Sequence, residues 1–64
     1  MPSQKPRPGE IYFQHVLIGI YHKVIAIDAN TGVEVTIMGP TGTNKSRLED
    51  LALQKLNRRL EKGG

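Results

Sequence analysis

Val24-Ile25-Ala26-Ile27-Asp28-Ala29-Asn30-Thr31-Gly32-Val33-Glu34-Val35-Thr36-Ile37 sets two runs rich in β-branched residues around a short polar break. β-Branched side chains fit a pleated, half-buried surface. Asp and Asn favour turns, and Gly32 supplies the positive φ that ends one. The stretch reads as a β-hairpin with loop residues 29–32. Upstream, Ile11–Ile18 repeats the composition, and Gly19-Ile20 joins it to the run that begins at Tyr21. A two-residue turn with glycine first suits type II′ geometry. Strands are therefore predicted over Ile11–Ile18, Tyr21–Ile27 and Val33–Met38.

The two turns fix a register, which the hydrophobic pattern can test. Ala26 should face Val35 and Val24 face Ile37; Leu17 should face His22, His15 face Val24 and Phe13 face Ala26. Side chains alternate along a strand, so one face collects Ile11, Phe13, His15, Leu17, Val24, Ala26, Val33, Val35 and Ile37. All but His15 and Ala26 are large and apolar, which makes this the packing face. A one-residue change at Gly19 would flip the first strand.

From about Ser46 to Lys62 the period becomes 3.6. Leu48, Ala52, Leu56 and Leu60 recur every four residues, flanked by Leu51 and Leu53. Ser46 with Glu49 matches a capping box, with Thr43 or Asn44 as alternative caps. Arg58, Arg59 and Lys62 suit the negative end of the helix dipole, and Gly63-Gly64 ends the helix. The expected fold class is α+β: a three-stranded antiparallel β-meander packed on one C-terminal helix, over residues 10–62. Residues 1–9 hold three prolines and two cations and read as a flexible tail.

Composition sets the outer bounds. A chain of 64 residues is one domain that buries about 60% of its unfolded surface, so its stability is marginal. It has no cysteine, which removes disulfides and thiolate metal sites, and two histidines make a structural zinc site a poor expectation. No apolar run approaches the roughly 18 residues of a membrane span, and the first residues lack a signal peptide's apolar segment. A cytoplasmic protein is expected. The net charge of +3 permits acidic or nucleic-acid partners without requiring them.

Gly39-Pro40-Thr41-Gly42-Thr43-Asn44-Lys45-Ser46 is one residue short of a phosphate-binding P-loop, and it lies between strand and helix as one would. Asn44 stands where backbone must approach phosphate. A P-loop fold also draws on a parallel sheet that delivers an acidic residue to magnesium, whereas one helix follows Ser46 here. Nucleotide binding is not expected; weak anion binding at the helix start is the milder possibility. His15 and His22 are diagonal neighbours on the packing face and would make a metal or proton-shuttle pair. The structural expectation is a core-edge His15 and a rim-exposed His22. Asp28 reads as a turn former. With no nucleophile–base pairing legible, no catalytic residue, cofactor or metal is assigned, and the chain is not expected to be an enzyme.

Two surfaces remain. Arg47, Lys55, Arg58 and Lys62 line one helix flank and, with Lys5 and Arg7, could track a nucleic-acid backbone. The sheet's second face carries Tyr12, Val16, Ile18, Tyr21, Ile25, Ile27 and Met38, and one helix cannot cover both faces. Contiguous apolar patches mark interfaces. A protein interface is the leading expectation, with a symmetric homodimer as its simplest form; nucleic-acid binding is the alternative.

The residues Ile18-Gly19, Lys23-Val24, Ala26-Ile27-Asp28, Thr31-Gly32, Glu34-Val35, Ile37 and Gly39-Pro40, followed by Leu51-Ala52-Leu53 and Lys55-Leu56, resemble a family of short, uncharacterised bacterial proteins over roughly residues 10–60. The resemblance implies a β-β-β-α domain and brings no activity or catalytic residue with it. It also implies that the Gly39 loop is not held as a P-loop.

Overall fold

The computed structural model describes residues 9–62, so all of the predicted tail except Gly9, and Gly63-Gly64, lie outside the described residues. Four elements follow one another: β1 (Ile11–Ile18), β2 (Tyr21–Asp28), β3 (Glu34–Pro40) and α1 (Lys45–Glu61). The strands form one antiparallel sheet in the order β1-β2-β3, and α1 packs across β2 and β3. The fold is α+β.

The register is the one the turns dictate. Phe13 faces Ala26, His15 faces Val24 and Leu17 faces His22; Ala26 faces Val35 and Val24 faces Ile37. Gly19 has φ 58° while no non-glycine residue among those described has positive φ, which is the type II′ signature. The second hairpin closes on Asp28. Its carboxylate accepts from the Thr31 amide at 3.0 Å and the Thr31 hydroxyl at 2.6 Å, and the Thr31 oxygen accepts from the Val33 amide. Asp28 is buried, so these bonds replace its lost water. They also extend pairing at this end, carrying β2 one residue beyond its predicted limit.

α1 starts at Lys45, one residue earlier than predicted, and its cap is Asn44 rather than the Ser46–Glu49 box. The Asn44 side-chain oxygen accepts from the Ser46 amide at 2.8 Å and the Arg47 amide at 3.3 Å. Glu49 is not available for a box because its carboxylate meets His15 at 2.6 Å.

Val24, Ala26 and Val35 from the sheet join Leu48, Ala52 and Leu56 from the helix in one buried core. Ala26 and Ala52, both fully buried, let helix and sheet approach closely. Lys55 on one side of α1 donates to the Thr36 carbonyl at 3.0 Å, and Glu49 on the other reaches His15 on β1. These two tethers fix how the helix is rolled on the sheet. One expectation fails: Leu17, assigned to the packing face, is 67% exposed. It points to the helix side but lies on β1, beyond the strands that α1 covers. Full burial of a leucine is worth about 1.5–3 kcal/mol, and Leu17 contributes little of that here.

Gly39 lies beneath the helix start. A Cβ there would sit 3.0 Å from Leu48 Cδ2 and 3.3 Å from Thr43 Oγ1. Gly39→Ala should lower stability to urea by about 1–3 kcal/mol through overpacking. An unchanged unfolding midpoint would mean that Leu48 moves aside freely.

Candidate protein interface

On the face away from α1, opposed residues form four rows: Tyr12–Ile27–Glu34, Gln14–Ile25–Thr36, Val16–Lys23–Met38 and Ile18–Tyr21–Pro40. All seven predicted interface residues lie on this face. Ile25 and Ile27, on the central strand, are half-buried between their neighbours, while Tyr12, Val16, Ile18, Tyr21 and Met38 are exposed. Gln14, Lys23 and Thr36 interrupt the middle, so the apolar surface is not uniform.

Its densest part is the β1–β2 turn. Val16, Ile18, Ile20 and Tyr21 are all exposed, with Ile20 at 71%, and Met38 lies on the same end of the sheet; Leu17 is exposed at this end too, but on the helix side. Leu17 and Ile20 were absent from the sequence-level interface. The available signal was width. A helix is about 10 Å across with its side chains and strands are about 4.8 Å apart, so one helix covers about two strands. Ile11 and Phe13 of the third still pack against the core, while its turn end at Leu17 stays uncovered. This tip is anchored. The Thr41 amide and hydroxyl both donate to the Ile20 carbonyl, at 2.7 and 2.6 Å. The bonds bind the turn to the loop before α1 while the Ile20 side chain faces solvent.

The P-loop-like segment is occupied by structural bonds. The Thr41 amide serves Ile20, the Thr43 amide and hydroxyl both serve the Pro40 carbonyl, and the Ser46 and Arg47 amides serve Asn44. Gly42 takes φ 100° in the turn, and Gly39 makes room for Leu48. Four of the backbone donors in this segment, those of Thr41, Thr43, Ser46 and Arg47, therefore serve the connector and the helix cap.

The histidines meet, with exposures opposite to those expected. His22 is buried at 4%, and the His15 side chain is 27% exposed. His22 sits on the central strand under the start of α1, whereas β1 leaves His15 at the rim. His15 Nδ1 lies 2.8 Å from His22 Nε2, and His15 Nε2 lies 2.6 Å from Glu49. A carboxylate accepts only, so His15 Nε2 carries a proton and donates to Glu49. Both ring nitrogens of His15 are thereby engaged, Nε2 tying β1 to α1 through Glu49 and Nδ1 tying β1 to β2 through His22. Among the described residues no group of three His, Cys, Asp or Glu side chains could hold a metal ion.

A family model described as a domain of unknown function, DUF6898, matches residues 8–63. The chain belongs to this family. No curated protein and no solved structure matches it. No helix among the described residues of this DUF6898 domain is long and apolar enough to cross a membrane.

On the helix flank, Arg47 and Arg58 are exposed, and Lys62 follows as the C-cap residue. The Lys55 ammonium is directed to the Thr36 carbonyl at the sheet edge instead of outward with the other three. Lys5 and Arg7 lie outside the described residues.

At the far end of the open face, the Tyr12 hydroxyl donates to Glu10 at 2.6 Å. That bond, followed by the Glu10 charge, holds the phenol above its usual 10.0. A raised value means that the protonated phenol favours the fold below pH 10 and that this contribution is lost as pH rises through the folded value. Glu10→Gln should bring Tyr12 ionisation back toward 10.0 in an ultraviolet titration. An unchanged curve would show that Glu10 does not hold the phenol.

Proposed function

We propose that this domain is a non-enzymatic protein-interaction module that self-associates through the sheet face left open by α1, with the β1–β2 tip as its anchor. The observation that carries the reading is the cluster of exposed Val16, Ile18, Ile20, Tyr21 and Met38 on an anchored turn. Burying such side chains against a second copy offsets the thin core of a small domain without a disulfide or metal. A symmetric dimer places the same patch on both sides of the interface, so apolar surface meets apolar surface. The reading includes the cytoplasmic setting and the bacterial origin expected from the sequence.

The nucleic-acid reading draws support from exposed Arg47 and Arg58, but the diversion of Lys55 shortens that stripe. Protein association is therefore preferred.

Sedimentation equilibrium should show a mass that rises with concentration. Tyr21→Lys and Met38→Lys, on the open face and outside the core, should each weaken association on the order of tenfold, ~1.4 kcal/mol, with unchanged urea midpoints. A chain that stays monomeric at millimolar concentration, or one whose helix-flank resonances shift with RNA or DNA in a salt-sensitive way, would contradict the reading.

A further inference from the structure

The two edges of the sheet differ. The Glu10 carbonyl accepts from the Ala29 amide, so along β1 the even-numbered residues turn their backbone groups toward β2. The N–H and C=O of Ile11, Phe13, His15 and Leu17 then point to the outer edge, where no described strand pairs. On β3 the Val33 carbonyl accepts from the Asp28 amide, so the even-numbered residues face outward. That edge is obstructed. Lys55 occupies the Thr36 carbonyl, Pro40 has no N–H to offer, and Glu34 adds a charge.

Among the described residues, β1 carries none of these protections. It runs eight residues, Ile-Tyr-Phe-Gln-His-Val-Leu-Ile, without proline, lysine, arginine or carboxylate, and each residue has one opposite partner on β2, so there is no bulge. A regular, uncharged and largely apolar edge is a template for another strand.

We infer that β1 pairs antiparallel with β1 of a second copy, about a two-fold axis through Gln14, to make one six-stranded sheet with both helices on the same side. This rests on the reading that the chain associates with itself, and it adds the edge to the face as an interaction surface. The occupant follows from the strand's own pattern. A two-fold perpendicular to the sheet pairs residues of the same parity, and two registers keep seven residues of β1 paired: those centred on Gln14 and on His15. The His15 register sets two imidazoles, each already bound to Glu49, side by side. The Gln14 register instead sets Leu17 beside the partner's Ile11 on the helix side, and Tyr12 beside the partner's Val16 on the open side. It thereby covers Leu17, which α1 does not reach, and joins the two open faces into one.

The test uses the absence of native cysteine. In this register Gln14 and its counterpart form a non-hydrogen-bonded pair with Cα atoms about 4.5 Å apart, within disulfide reach. Sheets stacked face to face are about 10 Å apart, which is out of reach. Under mild oxidation Gln14→Cys should cross-link to a dimer within the time that Thr36→Cys, exposed on the other edge, stays uncross-linked. Leu17→Lys, at an exposed position, should weaken dimerisation at least tenfold in sedimentation while circular dichroism shows an unchanged fold. Dimers that neither cross-link through Gln14→Cys nor respond to Leu17→Lys would overturn edge pairing and leave association through the face standing. A chain monomeric at every concentration would overturn both.

Discussion

One helix lies on three strands, and it is wide enough for two. α1 rests on β2 and β3, and the fully buried residues follow that line: Val24 and Ala26 on the central strand, Ala52 and Leu56 on the helix above. A helix about 10 Å across cannot also shelter a strand about 10 Å from the far edge of the sheet. β1 therefore keeps its turn end, at Leu17, in water, and no described element lies over the opposite face. The open face, the bare edge and the apolar turn are three consequences of the same shortage of cover.

Polar groups hold this lopsided arrangement in place. Lys55 reaches the β3 edge and Glu49 reaches His15 on β1, so the helix cannot roll toward either side without losing a bond. His22 lies buried beneath the helix start and is satisfied by His15. Thr41 binds the β1–β2 turn to the loop before the helix. Each such bond is worth about 1 kcal/mol net, but breaking one at a buried group costs more, because a polar atom is left without water. Together they allow a small core to present apolar side chains on a fixed surface without collapsing over them.

Much of this was legible in the residues. Gly19 and Gly32 set two turns, the turns set the register, and the alternation of apolar residues agreed with it; the 3.6 period gave the helix. The open face followed because strand residues have only two directions in which to point. What was not legible depends on where the helix sits, and no pattern in the helix records that. The placement explains the exposure of Leu17, the exchange of roles between His15 and His22, and the loss of the Ser46–Glu49 box to a contact thirty-four positions away. Gly39 and Asn44 belonged to a motif that resembled chemistry, but they are now accounted for by a close approach and a helix cap.

Amide hydrogen exchange along β1, followed against concentration, tests most directly whether this strand lacks a partner in the isolated domain and gains one by association. In dilute solution the amides of Tyr12, Gln14, Val16 and Ile18, bonded to β2, should be protected, while those of Phe13, His15 and Leu17 exchange freely; at high concentration the second set should slow as well. Equal protection of both sets at the lowest concentration would mean that something within the chain already covers β1, which would contradict the account.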